Sequence, residues 1–253
     1  MWDKISNFAT IKTMHRKIIK TKIMANNNEK ATFDASQKSE AFFDKNKKVI
    51  SGVIIAVIVV VAGWLCYRQF VSVPREDKAS TELAKGQDFF NAEQFDKALN
   101  GDGAGYAGFV KIAADYSSTD AGNLANLYAG LCYANLGKWQ DAVKYLEAFS
   151  TKGDAMVSPA AIEALGNAYA HVGQVDKAIS KLKDAAAKAD SKAKDGVNNS
   201  LSPTFLLQAA SLMESQGKAA EANKVYGEIK KKYVNSGLVQ SGEIDKYIER
   251  TAK

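Results

Sequence analysis

Apolar and polar positions follow two different rhythms along this chain. Residues 49–67, VISGVIIAVIVVVAGWLCY, contain no charged residue and offer no polar stripe. As a helix the run is about 28 Å long, close to the ~30 Å hydrocarbon core of a bilayer. A helix in a soluble core keeps a polar face toward water, so this pattern predicts a membrane-spanning helix. Trp64 and Tyr67 stand at its C-terminal end, where amphipathic rings anchor at an interface. Gly52 and Ala56 form a small-xxx-small pair that is read as lipid-facing rather than as a helix contact. Beyond residue 78 the rhythm changes. Apolar residues recur at three- and four-residue spacing, and no stretch alternates as a strand would.

The helical stretch repeats itself. Gly130, Tyr133, Gly137, Ala142 and Leu146 return as Gly166, Tyr169, Gly173, Ala178 and Leu182, each offset by 36 residues. The shared pattern is G-x-x-Y-x-x-x-G-x-x-x-x-A-x-x-x-L. Two weaker copies flank it. Gly86, Phe89 and Ala98 match upstream in GQDFFNAEQFDKAL, and Ala210, Met213, Gly217, Ala222 and Tyr226 match downstream. The outer spacings are 44 residues, from 86 to 130 and from 173 to 217, so each outer connection carries an insertion. The first includes NGDGAGYAG and the second DSKAKDGVNNS.

This pattern resembles the tetratricopeptide repeat, a pair of antiparallel helices of about 34 residues. The small residues then have a physical reason. Gly130 and Ala142 lie where the two helices of a unit approach most closely, and Gly137 sits in the turn, where positive φ is needed. Ser158-Pro159 and Ser202-Pro203 read as helix starts, with serine as the cap and proline in the first turn. SGEIDKYIER, residues 241–250, reads as a terminal helix that covers the core and keeps its outer face polar. The expected fold is therefore all-α: a tetratricopeptide-like solenoid of about four helix pairs plus a terminal helix, behind one transmembrane helix. The domains are 1–48 (basic tail), 49–67 (membrane helix), 68–78 (linker), 79–233 (repeats) and 234–253 (capping helix).

Charge refines this layout. The net charge of +6 belongs to residues 1–48, which hold 11 Lys/Arg and 5 Asp/Glu. Residues 68–253 hold 23 of each sign, so the repeat region is neutral and lacks the basic face of a nucleic-acid-binding domain. Lys45, Lys47 and Lys48 crowd the N-terminal flank of the apolar run. That bias orients the N-terminus toward the cytoplasm and residues 68–253 toward the periplasm of a Gram-negative inner membrane. Met24 opens MANNNEK and reads as a start in its own right, which would leave 1–23 untranslated. The rival reading of IKTMHRKIIKTKIM is a basic amphipathic targeting segment. The first 48 residues lack apolar periodicity and read as a solvated tail.

Candidate chemistry is sparse. Cys66 and Cys132 read as unpaired, and the only histidines are His15 and His171, which excludes a multi-histidine metal site. GDGAG at 101–105 follows no strand and lacks a Lys-Ser/Thr partner, so it reads as a flexible insertion rather than a phosphate loop. The NNS sequon at 198–200 has no supporting secretory context. No nucleophile, base and acid converge in the sequence, so no enzyme, cofactor or metal is expected.

The expected function follows from the architecture: a membrane-anchored scaffold that binds peptides or proteins, as a monomer or weak dimer. Registering the repeat on Gly130 and Gly166 places Leu127, Leu131 and Asn135 on the concave face of one unit. Glu163, Asn167 and His171 follow in the next, and Leu207, Ser211 and Glu214 in the fourth. The lysines and arginines that some repeats of this family use to clamp a terminal carboxylate are missing there. An extended apolar or basic segment is the expected occupant. The whole layout resembles the YfgM-type ancillary proteins of the bacterial Sec translocon, which implies a role beside translocation or periplasmic chaperones. A scaffold for envelope assembly and an organelle import receptor with a cytosolic repeat domain remain alternatives.

Overall fold

A computed structural model describes residues 45–252. The chain divides into two units, Met1–Arg68 and Gln69–Lys253. In the first, residues 45–67 form helix α1. Its Val, Ile and Leu side chains from Val53 to Leu65 are exposed, and the apolar window of the Lys45–Asn91 helical stretch has a mean hydropathy of 2.8. The helix is long and apolar enough to cross a membrane. The expectations for the N-terminal tail up to residue 44, including the start at Met24, lie outside the described residues.

A π-helical turn, Arg68–Ser72, comes next in the chain. Then follow α2 (Val73–Asn91), α3 (Phe95–Asn100), α4 (Phe109–Asp115), α5 (Asp120–Asn135) and α6 (Trp139–Ala148). They are followed by α7 (Val157–His171), α8 (Val175–Lys192), α9 (Ser202–Ser215), α10 (Ala219–Lys232), α11 (Gly237–Gln240) and α12 (Glu243–Thr251). No strand occurs among the described residues. Antiparallel pairs α2/α3, α5/α6, α7/α8 and α9/α10 stack in chain order, each packing on the next. This is the expected helical solenoid.

The four turns inside the pairs share one geometry. Gln94 N, Lys138 N, Gln174 N and Lys218 N donate to the carbonyls of Phe89, Tyr133, Tyr169 and Met213, all at 2.9 Å. That six-to-one bond is the Schellman ending, which needs a left-handed residue just past the helix. Gly137, Gly173 and Gly217 supply it with φ of 72°, 77° and 75°. In the first pair the position is Glu93, at φ 57°. An L-residue held there costs about 1–2 kcal/mol. Glu93→Gly is therefore expected to stabilise the protein by about 1 kcal/mol after the added chain entropy of glycine is subtracted. A urea midpoint that falls would contradict this.

Close helix approach explains the small residues. A Cβ on Gly130 would stand 2.6 Å from Leu146 Cγ, so Leu146 occupies the space that the glycine leaves. Ala98, Ala142, Ala178 and Ala222, one per second helix, are fully buried. At the C-terminal end α12 lays Ile244 into the core and packs Tyr247 and Ile248 beside it. Asn223 Nδ2 donates to Ile248 O and Thr251 Oγ1, both at 2.9 Å, and fastens this helix to α10.

Several local expectations need correction. The segment 68–78, expected as a linker, is helical throughout, and its side chains close distant helix ends. Glu76 accepts the Asp120 and Ala121 N–H groups at 2.8 and 2.9 Å, at the start of α5, while Arg75 donates to Asp115 O at the end of α4. Charges of these signs suit these two helix ends. The first insertion is ordered rather than flexible. Asp102 Oδ1 accepts from Ala104 N and Tyr106 N at 2.8 and 2.9 Å, which turns the chain so that Tyr106 is buried. The Tyr106 hydroxyl donates to Ala98 O at 2.7 Å, and its ring meets Phe89 and Phe109. The second insertion is partly helical, since α8 has 18 residues against 10 in α6.

Neither serine is a cap. Ser158 and Ser202 lie inside the first turns of α7 and α9, fully buried. Ser158 Oγ donates to Asp154 Oδ2 at 2.5 Å, and Asp154 Oδ1 accepts from Met156 N and Ser158 N. Asp154 therefore does the capping. Burial acts to raise its pKa, but the hydrogen bonds from Ser158, Met156 and Val157 hold it down to about 2.

Candidate protein-binding groove

Helices α7 and α9 carry equivalent positions of neighbouring repeats and face the same side of the stack. Between them lies a groove of about 490 Å3, walled by Asn167, Ala170, His171, Leu207, Gln208, Ser211 and Leu212. Four of the nine residues expected on the concave face therefore meet in one place: Asn167, His171, Leu207 and Ser211. The helical spacing of Asn167 to His171 and of Leu207 to Ser211 puts each pair on one helix face.

The groove is held from behind. The His171 ring stacks on Trp139 with centroids 3.6 Å apart and planes 2° from parallel. Asn167 Nδ2 donates to Glu163 Oε1 at 2.6 Å, so Glu163 orients the carboxamide from one turn earlier and does not itself line the groove. Ser211 Oγ lies 3.4 Å from the Tyr226 hydroxyl. Gln208 Oε1 is closed to solvent and has no hydrogen-bond partner.

The other expected residues serve elsewhere. Leu127 is buried in the core between the second and third pairs with Ala161 and Leu165, and Leu131 packs against the same cluster. Their helix face is covered by the next repeat. Asn135 is exposed, with its amide donating to Leu131 O at 2.9 Å. Glu214 falls one residue short of the register of Asn135 and His171. It is turned toward α12, where Arg250 Nε and Nη2 reach it at 3.1 and 2.5 Å and the Tyr226 hydroxyl donates at 2.7 Å. Arg250 chiefly holds the Glu214 carboxyl below its ordinary range. Glu214 thus fastens the terminal helix and leaves the groove without it.

Ala170, Gln208, Leu212 and Trp139 were not singled out from the sequence. Gln208 and Leu212 flank Leu207 and Ser211 on the same turns, so a wider reading of the α9 face finds them. A larger cleft of about 570 Å3 lies between α2, the first insertion and α4. Its walls carry Asp77, Lys78, Glu82, Lys111 and Asp115, charges of both signs that keep it hydrated. The α7/α9 groove is the better candidate because its walls carry apolar surface and no charged Asp, Glu, Lys or Arg side chain. Among the described residues no group of His, Cys, Asp or Glu is placed to hold a metal ion. The buried Cys132 thiol is pushed up to about 12 by burial, which leaves it unreactive.

One tetratricopeptide-repeat family model matches residues 124–152 and 204–236, and a second matches 161–194. No curated protein matches the chain. A crystal structure of nearly identical TPR-like repeats from a putative kinesin light chain of Podosopora anserina is similar at 13% identity. It covers 70% of this chain and 94% of its own, with a TM-score of 0.48. The C-terminal part of a TPR repeat-containing protein from Cytophaga hutchinsonii is similar at 13% identity, over 67% of this chain and 77% of its own, with a TM-score of 0.34. The pair α2/α3 lies outside the matched stretches, where its second helix is cut short by the insertion. Over α5 to α10, then, this chain matches tetratricopeptide-repeat family models.

Proposed function

We propose that this protein is a membrane-anchored adaptor whose repeat domain holds a segment of a partner protein in the α7/α9 groove. Residues 49–67 are the anchor. The lysines at 45, 47 and 48 support an N-terminus in the cytoplasm and a repeat domain in the periplasm. There the domain works beside the translocation machinery or its chaperones, as the resemblance to the YfgM-type proteins suggests. The observation that carries the reading is the convergence of Asn167, His171, Leu207 and Ser211, from two repeats, on one partly apolar groove.

The test places a photocrosslinking amino acid at position 207, in the groove, or at the exposed position 135. Both proteins are expressed at native level in membranes. Crosslinks to specific partners are expected from 207 and not from 135, and Leu207→Asp should abolish partner capture by a third site in the groove. Protease added to intact spheroplasts should digest the repeat domain. Equal crosslinking from both positions, or protection of the domain until lysis, would overturn the assignment.

A further inference from the structure

Helix α10 carries an exposed face whose charges alternate in sign. Glu221, Lys224, Glu228 and Lys231 stand at i, i+3, i+7 and i+10, so they share one side of the helix over about 15 Å. All four are exposed. The lysines around them are used within the chain, Lys230 on Asp245 at 2.7 Å and Lys232 on Asp190 at 2.6 Å. Among the described residues these four side chains close no ion pair, with one another or with a neighbouring helix. Lys224, Glu228 and Lys231 border a depression of about 550 Å3 that Gly227 also lines. A Cβ on Gly227 would meet no atom within 4 Å, whereas Gly130 and Gly166 are pressed by Leu146 and Leu182. Glycine weakens a helix interior, and no packing within the chain accounts for this one. It leaves room for another backbone to come close.

The order minus, plus, minus, plus is its own complement when the helix is turned end for end. Both matches are centred on position 226: Glu221 meets Lys231 of a second copy, and Lys224 meets its Glu228. Two-fold symmetry makes each pair occur twice. We infer that α10 pairs antiparallel with α10 of a second copy of this chain, through reciprocal Glu221–Lys231 and Lys224–Glu228 ion pairs. Exposed ion pairs are individually weak and are screened by salt. The dimer therefore forms where chains are concentrated, as two anchors in one bilayer would hold them. The inference does not depend on what the α7/α9 groove holds.

The test uses the full-length protein in detergent micelles, with a donor or an acceptor dye at the C-terminus. Thr251 Oγ1 accepts from Asn223 Nδ2 on α10, so the dyes lie beside that helix. Energy transfer between copies is expected at about 0.1 mM chain, and it should fade in about 1 M salt. Lys224→Glu and Glu228→Lys should each weaken association about tenfold, because each sets like charges opposite one another twice. Mixing the two variants should restore the wild-type value, since every pair across the axis then joins opposite charges again. Neither a role in folding nor contact through α1 predicts that rescue. Equal transfer for the wild type and both single variants would overturn the inference. So would the absence of transfer in the wild type, or a mixture that associates no better than either variant alone.

Discussion

Replacing Asp190 with alanine is expected to lower the stability of the repeat domain by about 1–3 kcal/mol, the usual effect of leaving buried hydrogen-bond donors without their acceptor. Asp190 is 8% exposed and lies in the last turn of α8. Its Oδ1 accepts from Asn198 N at 2.8 Å and Ser202 Oγ at 2.7 Å, and its Oδ2 accepts from Lys232 Nζ at 2.6 Å and the Tyr233 hydroxyl at 2.8 Å. One carboxylate thus joins the second insertion, the first turn of α9 and the end of α10. Without it, Asn198 N and the buried Tyr233 hydroxyl lose their acceptor, while Ser202 Oγ keeps Ala186 O at 2.9 Å and the exposed Lys232 ammonium turns to water. Burial alone would raise the Asp190 pKa, but the bonds from Lys232, Asn198, Ser202 and Tyr233 bring it below the ordinary carboxylate value. A group depressed in the folded state contributes stability above its unfolded pKa and loses it as the pH falls. Wild type should therefore weaken as the pH drops below about 4, with Asp154 and Glu214 adding the same sign. Asp190→Asn should flatten that slope. Urea midpoints across this pH range are the measurement, and an unchanged midpoint for Asp190→Ala at neutral pH would contradict the role given to the carboxylate.

Ala142→Leu and Ala178→Leu should each cost about 1–3 kcal/mol, because adding bulk to a packed core forces strain. Both alanines have no exposed surface. In the third pair Gly166 shows how little room exists: a Cβ there would stand 3.0 Å from Leu182 Cγ and 3.3 Å from Ala178 O. Ala178 therefore sits on a backbone contact between α7 and α8, with no flexible neighbour to yield at that point. Gly130 is tighter still against Leu146, so the second pair should respond at least as strongly. Chemical denaturation of the two variants, with circular dichroism to confirm that helix content persists, decides the matter. Two unchanged midpoints would mean that the helices of a unit can move apart at no cost.

Part of this protein is written locally, and that part is legible in the chain. The uncharged run of residues 49–67 declares itself as a helix long and apolar enough to cross a membrane. The 36-residue echo of Gly130 through Leu146 reveals the helix pairs, because close approach and a left-handed turn each admit few residue types. Gly137, Gly173 and Gly217 take the positive φ expected of such turns. What tertiary structure decided is which faces stay free and which side chains find partners. Leu127 obeys the concave register yet is buried, because α7 packs over its face. Glu214 meets Arg250 across 36 residues, and Asp190 meets Tyr233 across 43. Tyr106 enters the core only because Asp102 bends a glycine-rich loop that reads as flexible. Periodicity records how a residue sits on its own helix. It does not record which neighbouring element will cover that residue, and burial and partner choice both depend on that second fact.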